Sequence, residues 1–123
     1  MILTEKTSPM AAAKKFYRGQ GWEIDDVERR VTKIVTRDCF GFGDLLMYHT
    51  GLKQTALVQV TDGSHGANRK NKILQEKRAV GWLACGNKIF LCLLVTKIHT
   101  VETGKNKGEK RKEFEVRHVD IVI

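Results

Sequence analysis

The stretch Cys39-Phe-Gly-Phe-Gly-Asp-Leu-Leu-Met-Tyr-His49 is followed, after Thr50-Gly51, by Thr55-Ala-Leu-Val-Gln-Val-Thr61, and these residues decide the fold. Both stretches are rich in apolar and aromatic residues, and Thr50-Gly51 is typical of a turn. The pattern therefore predicts a β-hairpin made of a glycine-punctuated strand, Cys39 to His49, and a second strand, Thr55 to Thr61.

Alternation along the second strand sorts its side chains onto two faces. Leu57, Gln59 and Thr61 share one face, and the apolar residues between them share the other. Asp44 lies 15 residues before Gln59, so its carboxylate approaches this polar face if the two strands pair. Two simpler interpretations stay open: Asp44 caps a turn, and Gln59 and Thr61 are ordinary outward-facing strand residues.

Upstream of the hairpin, one helix and one irregular segment are expected. Ser8 is a suitable N-cap, Pro9 suits the first helical position, and Gly19 ends the helix. The segment Trp22 to Ile34 mixes β-branched and charged residues and is interpreted as an irregular or edge strand. Residues 1–7 are expected to form a flexible tail.

Downstream, a helix and a terminal hairpin are expected. The loop Asp62 to Ala67 leads into a basic helix, Asn68 to Cys85, which Gly86 ends. The strands Lys88 to His99 and Glu113 to Ile123 then flank a basic hairpin loop at residues 102–112, interpreted as mobile.

The element order is thus helix, three strands, helix, two strands. This order predicts an α/β fold with a central mixed sheet flanked by helices. At 123 residues, two separate cores would each be too small to be stable, so residues 1–123 form one domain.

The charge balance indicates a polyanionic partner. The chain carries 22 Lys and Arg against 14 Asp and Glu, a net charge of +8. Such a field attracts nucleic acid, and DNA is the partner favoured here. An acidic protein partner, or a basic surface without any partner, fits the same charge.

Cysteine usage and hydropathy bear on the compartment. The three cysteines, Cys39, Cys85 and Cys92, show no metal-ligand spacing and are interpreted as buried thiols. The start of the chain lacks the apolar core of a signal peptide, and the longest apolar run, Ile89 to Val95, is far shorter than a membrane span. A cytoplasmic protein without a membrane contact is expected.

Several short motifs occur in an order that resembles the PD-(D/E)XK nuclease superfamily, above all its Holliday-junction-resolvase-like branch and small phage-type proteins. The resemblance spans roughly residues 8–94. The motifs are Gly21-Trp-Glu-Ile24, Phe40-Gly-Phe-Gly-Asp-Leu-Leu46, Val58-Gln-Val-Thr61 and Asn68-Arg-Lys-Asn-Lys-Ile-Leu74. The resemblance implies a restriction-endonuclease-like core and a hydrolase that cleaves DNA with the help of Mg²⁺ or Mn²⁺.

The resemblance also assigns roles to residues. Asp44 takes the place of the metal-binding aspartate, and Gln59 and the Val60 carbonyl complete the implied metal ligands. Gln59 and Thr61 stand where the family usually has an acid and a lysine, and the first helix lacks the family's further glutamate. Both departures at Gln59 and Thr61 remove charge from the site.

Substitute groups are available elsewhere in the chain. Glu28 on the neighbouring segment is a candidate second carboxylate, so the catalytic candidates are Asp44, Gln59, Thr61 and Glu28. Lys70 or Lys72 is a candidate for the missing cation.

Candidate nucleic-acid contacts lie in three places: the glycine-rich loop, the basic helix and the basic hairpin loop. Backbone N–H groups of the loop Gly63 to Ala67 are also candidates to bind phosphate, because helix N-termini attract anions. Ordinary solvated cations are the competing interpretation. The candidate side chains are His65, Arg69, Lys70, Lys72, Lys77, Arg78, Lys105, Lys107 and Arg111.

Two functional hypotheses follow. The first is a metal-dependent DNA endonuclease acting on branched or structured DNA. The second is a DNA-binding or assembly module that keeps the same fold but has lost the chemistry, as the neutral Gln59 and Thr61 would allow. The sequence leaves open whether the protein forms a homodimer.

Overall fold

A six-stranded mixed sheet runs through the molecule, with helices packed on both of its faces. The computed structural model describes residues 1–30, 32 and 36–122 of the chain. The sheet has the order β1-β8-β7-β6-β5-β2, and β3 and β4 form a separate two-stranded sheet. The strands are β1 (Ile2–Leu3), β2 (Glu23–Asp26), β3 (Arg29–Arg30), β4 (Thr36–Arg37), β5 (Leu45–His49), β6 (Gln54–Asp62), β7 (Lys88–Thr100) and β8 (Lys110–Asp120).

The first helix, α1 (Pro9–Gly19), confirms the predicted boundaries. The Ser8 hydroxyl accepts a hydrogen bond from the Ala11 N–H at 3.1 Å, and Pro9 occupies the first turn. Tyr17 is fully buried on the face of α1 that packs against the sheet. After α1, β2 confirms the predicted edge strand at residues 23–26, whereas residues 31, 33 and 34 of that prediction lie outside the described part of the chain.

The central hairpin is confirmed, but its first strand is shorter than predicted. β5 pairs antiparallel with β6, with Leu45 opposite Val58 and His49 opposite Gln54. Residues 39–43 form a tight turn instead of a strand, because Phe40 and Gly41 adopt positive φ values of 53° and 81°, which extended backbone does not have. Asp44 therefore lies just before β5 and not within a strand.

The predicted second helix is in fact two helices, α2 (Gly66–Gln75) and α3 (Lys77–Ala84). Glu76 between them is extended, with ψ of 116°, and its carboxylate accepts a hydrogen bond from the Arg78 N–H at 3.2 Å. Glu76 is thus the N-cap of α3, which explains the break. The pair α2 and α3 forms the crossover that parallel strands β6 and β7 require.

The terminal hairpin is longer than predicted. β7 and β8 pair from Phe90 opposite Asp120 to Thr100 opposite Lys110. The loop between the strands therefore spans only 101–109, and not 102–112. β1 pairs with β8, so residues 2–3 belong to the sheet and the predicted tail is wrong there. Ile123, predicted to end the last strand, lies outside the described residues.

The core has two parts, one on each face of the sheet. The α1 side contains Tyr17, Trp22 and Phe90, and the opposite side contains Leu57 and Ile73. This division confirms the two faces predicted for β6. The remaining buried apolar residues are Ala12, Ala13, Phe42, Leu45, Met47, Ala56, Val58, Ala79, Ile89, Leu91, Cys92, Leu94, Val116 and Ile121.

Phe40 is 46% exposed because it lies at the tip of the tight turn, whereas Phe42 is in the core. The prediction of three buried thiols needs correction: Cys85 at the end of α3 is exposed and Cys39 is partly buried, so only Cys92 is a fully buried thiol. The mixed α/β class is confirmed, and none of the described helices is long and apolar enough to cross a membrane.

Candidate acidic site

Asp44 lies in a buried, hydrogen-bonded position beside β6. Only 5% of the residue is exposed. One oxygen, Oδ2, accepts hydrogen bonds from the Gln59 side-chain amide at 2.9 Å and from the Val60 N–H at 2.8 Å. Asp44 and Gln59 are therefore brought together as the sequence predicts.

Gln59 and Thr61 are not outward-facing strand residues. They are 6% and 8% exposed, and both line a cavity together with Asp44. Because their side chains are largely removed from solvent, ordinary alternation on a half-exposed face does not explain them.

The tight turn before β5 brings a second carboxylate to Asp44. Cys39 and Gly43 exchange backbone hydrogen bonds at 2.7 and 2.9 Å across this turn. The residues that flank this pair, Asp38 and Asp44, consequently face each other. Sequence reasoning missed Asp38; the signal was the pair of glycines at 41 and 43, which favour a tight turn over a continuous strand.

The third carboxylate belongs to Glu28, which follows the end of β2. The Val27 N–H donates to the Asp44 carbonyl at 3.1 Å, extending the pairing of β2 with β5 to Val27, directly before Glu28. Glu28, Asp38 and Asp44 each offer an oxygen within 4.8 Å of the others. We call these three residues the acidic cluster. The expected approach of Glu28 to Asp44 is confirmed, and Asp38 is an addition.

The acidic cluster is electrostatically costly in the absence of a cation. The pKa of Asp44 rises from 3.8 to about 8, first because burial disfavours the charged form. A hydrogen bond with the Asp38 side chain and the negative charges of Asp38 and Glu28 raise it further, against the opposing effect of the Val60 N–H. The raised pKa favours the protonated form of Asp44, and a nearby cation would displace that proton.

A cavity of about 580 Å³ opens over the acidic cluster. The first residues of α1 and Arg69 of α2 also line this cavity. Among the residues that the structure describes, no carboxylate lies within 4.0 Å of the Arg69 guanidinium, so this cation is free to pair with an anion in the cavity. The lining residues are Ser8, Pro9, Met10, Glu28, Thr36, Asp38, Gly41, Asp44, Gln59, Val60, Thr61 and Arg69.

Of the two substitute cations expected, Lys72 lies at the site and Lys70 does not. A smaller cavity of about 220 Å³ adjoins the first one and contains Lys72 beside Gln59 and Arg69. Lys70 and Lys77 are exposed and line neither cavity, because they lie on other sides of their helices. The positive charges at the site are therefore those of Arg69 and Lys72.

Arg78 is engaged within the protein. Its guanidinium lies 3.0 Å from the Glu76 carboxylate, and a Cβ at Gly41 would come within 2.7 Å of it. Arg78 thus ties α3 to the tight turn that carries Asp38. The side chain nevertheless remains 57% exposed, so its predicted contact with a nucleic acid stays a prediction.

In the loop before α2, a backbone N–H group that was predicted to bind phosphate already donates to a nearby side chain. The Asp62 carboxylate accepts hydrogen bonds from the Ser64 N–H at 3.0 Å and from the Ser64 hydroxyl at 2.5 Å. His65 is exposed and lies 3.9 Å from the same carboxylate. The predicted phosphate position therefore already faces an acid.

The remaining candidates, Lys105, Lys107 and Arg111, are exposed on the β7–β8 hairpin.

Chemically, the arrangement is a set of oxygen ligands beside a guanidinium. Three carboxylates at this spacing suit a hard divalent cation such as Mg²⁺ or Mn²⁺. Arg69 suits a phosphate, because its planar group binds such anions with two parallel hydrogen bonds.

In comparisons with known proteins, no family model, curated protein or solved structure matches this chain.

Proposed function

We propose that this protein binds DNA and hydrolyses its phosphodiester bonds with a Mg²⁺ or Mn²⁺ ion held by the acidic cluster. The observation that carries the proposal is the convergence of Glu28, Asp38 and Asp44 within 4.8 Å at a cavity that also contains the unpaired Arg69. The proposed substrate is branched or structured DNA, as the sequence resemblance implies.

The topology supports a restriction-endonuclease-like core. One helix precedes three antiparallel strands, β2, β5 and β6, and a helical crossover leads to the parallel strand β7. This order agrees with the one expected from the resemblance. In this proposal Asp44, just before β5, and Gln59 on β6 would take the positions of the family's two motif carboxylates.

The donor set fits a divalent cation. The carboxylates come from two segments: Glu28 follows β2, and Asp38 and Asp44 flank the tight turn closed by Cys39 and Gly43. The Asp44 carboxyl is fixed by the Gln59 amide and the Val60 N–H, which orient it before any ion arrives. A bound divalent cation would polarise a phosphodiester and make an attacking water more acidic.

The chain's own residues account for the rest of the proposed chemistry. Arg69 would bind a phosphate oxygen and stabilise the charge that develops on it, in place of the lysine that Thr61 replaces. Gln59 would act through Asp44 as a positioning residue, since its amide donates to Oδ2. The net charge of +8 would draw DNA to this site.

One observation favours the second candidate, a DNA-binding module without activity. Glu28 is exposed and Asp38 only partly buried, so just one of the three carboxylates is held in a buried, hydrogen-bonded place. If the cluster does not hold a cation, the basic surface remains and the cleavage is lost.

Cleavage assays distinguish the two candidates. The protein is incubated with branched and linear DNA in Mg²⁺ or Mn²⁺, beside Asp44→Asn, Asp38→Asn and the matched control Asp25→Asn, an exposed acid on β2. We expect the two site variants to lose cleavage and the control to retain it. Salt-sensitive binding without cleavage supports the module, and absence of binding to any nucleic acid at low salt rejects both.

A further inference from the structure

The β7–β8 hairpin extends beyond β6, and β1 pairs with it only at Phe114 and Glu115. Thr4 and Lys6 line a cavity together with Arg111 and Lys112 of the hairpin. β6 ends at Asp62, opposite Leu94, whereas β7 continues for six residues from Val95 to Thr100. At a rise of about 3.3 Å per residue, the projection is about 20 Å long. We call residues 95–115 the arm.

The arm projects from the same end of the sheet as the acidic cluster. Gln59 and Thr61 lie opposite Leu91 and Leu93, so the arm begins only a few residues beyond the level of the site. Neighbouring strands are about 5 Å apart, which places the base of the arm about 10 Å sideways from β5. A single extended ligand across this end can therefore touch both.

The far half of the arm is strongly basic. Within the part of the chain that the structure describes, none of its five cations has a carboxylate within 4.0 Å, and all five are exposed. Near the base, by contrast, Lys97 is paired with Glu115 at 2.7 Å and His99 with Glu113 at 3.5 Å. The unpaired cations are Lys105, Lys107, Lys110, Arg111 and Lys112.

The tip of the arm is closed by its own backbone. The Val101 N–H donates to the Glu109 carbonyl and the Gly108 N–H to the Val101 carbonyl, both at 2.9 Å. Gly104 and Gly108 have φ values of 87° and 89°, which the tight tip requires. The arm is consequently a two-stranded ribbon over residues 95–100 and 110–115, closed by a hydrogen-bonded loop at 101–109.

We propose that the arm inserts into the major groove of double-stranded DNA and holds the duplex against the acidic cluster. The proposal rests on the function proposed above and names its substrate class. The major groove of DNA is about 12 Å wide and admits a two-stranded ribbon, whereas the major groove of duplex RNA is deep and too narrow for side chains. The unpaired cations then contact phosphates on both sides of the groove.

The test compares an arm variant with a control of equal charge. The arm variant is Lys105→Gln/Lys107→Gln/Lys110→Gln. The control removes three exposed cations from α1 and the β5–β6 turn, Lys15→Gln/Arg18→Gln/Lys53→Gln. Binding to duplex DNA, duplex RNA and single-stranded DNA of one sequence is titrated over a range of salt concentrations.

We expect the arm variant to bind duplex DNA at least about tenfold more weakly, with a salt dependence shallower by about 2–3 in logarithmic slope. Removing three positive charges has an effect that is common to both variants. Beyond that effect, the affinity of the control variant for duplex DNA should change by less than about threefold, and so should the affinities of the arm variant for duplex RNA and single-stranded DNA. The parent should prefer duplex DNA over duplex RNA by at least about tenfold, because only the former admits the ribbon.

Other outcomes overturn the inference in distinguishable ways. Equal losses on DNA and RNA duplexes, or equal losses in the arm and control variants, would reject groove insertion. If the parent cleaves DNA but the arm variant binds duplex DNA like the parent, only the arm proposal fails. If Asp44→Asn still cleaves while the arm variant binds weakly, only the proposed catalytic site fails.

Discussion

Tyr17 and Asp44 are both buried polar residues, but burial opposes the ordinary charge state of Asp44 and not that of Tyr17. The Tyr17 hydroxyl hydrogen-bonds to Nδ1 of His118 at 2.9 Å, and its ring stacks on Phe90 with the centroids 6.0 Å apart. Burial raises the pKa of Tyr17, but a phenol is neutral at pH 7 in any case. The tyrosine therefore stays in its ordinary protonation state inside the core.

Asp44 is held in an unusual state. A carboxyl is ordinarily ionised at pH 7, yet burial and two neighbouring carboxylates raise the pKa of Asp44 to about 8. The hydrogen bonds that Asp44 accepts stabilise the fold, but burial disfavours its ionised form. The Tyr17 contact with His118 stabilises the fold without such a cost. A perturbed acid that meets other carboxylates in a cavity is characteristic of functional sites, and this difference separates Asp44 from the core.

The largest expected effect is on stability when the Asp44 side chain is removed. Asp44→Ala leaves the Gln59 amide and the Val60 N–H without their acceptor, which should lower the free energy of unfolding by about 2–4 kcal/mol. Asp44→Asn keeps an acceptor oxygen and should cost less than about 1 kcal/mol. Urea denaturation at pH 7 measures both, and equal values for the two variants would show that these hydrogen bonds matter little.

The next effect is a pH dependence that only the acidic cluster should produce. Because the pKa of Asp44 is raised in the folded state, its stabilising contribution is fully present below about pH 3.8 and is lost as the pH rises through about 8. The melting temperature without divalent cations should therefore fall by several degrees between pH 6 and pH 9. Asp44→Asn should flatten this slope, and an unchanged slope in that variant would mean that another group titrates.

A smaller effect is expected when the second acid of the resembled motif is restored. Gln59→Glu adds a carboxylate beside Asp44 and removes the amide that now donates to it. Mn²⁺ affinity should rise by about tenfold, or about 1.4 kcal/mol, while the metal-free protein becomes less stable. Calorimetric titration measures the affinity, and a weaker affinity would indicate that the amide positions Asp44 better than a carboxylate would.

The smallest effect concerns the tyrosine side of the comparison. Tyr17→Phe removes one partly buried hydrogen bond to His118 and should cost about 1 kcal/mol of stability. Cation binding and DNA binding should be unaffected, since the residue lies on the α1 side of the sheet. A change in Mn²⁺ affinity for this variant would show that Tyr17 affects the cation site, and would contradict the distinction between Tyr17 and Asp44.

The sequence predicts the architecture better than the site. Alternation in residues 55–61 is enough to predict the hairpin and the two faces of β6, because burial on both faces enforces the register. Asp38 escapes prediction because its approach to Asp44 depends on a turn with positive φ at Phe40, a residue type that rarely adopts it. The break at Glu76 is hidden because the apolar spacing of α2 continues into α3, and only the capping contact to Arg78 reveals it.

The central claim is that the acidic cluster binds a divalent cation, and Mn²⁺ titration of the full chain at pH 8, followed by calorimetry and electron paramagnetic resonance, tests it most directly. The account predicts one bound Mn²⁺ for the parent and for Asp25→Asn, with affinity at least about tenfold weaker in Asp38→Asn and in Asp44→Asn. Equal Mn²⁺ affinity in all four proteins, or no binding to the parent, would contradict it.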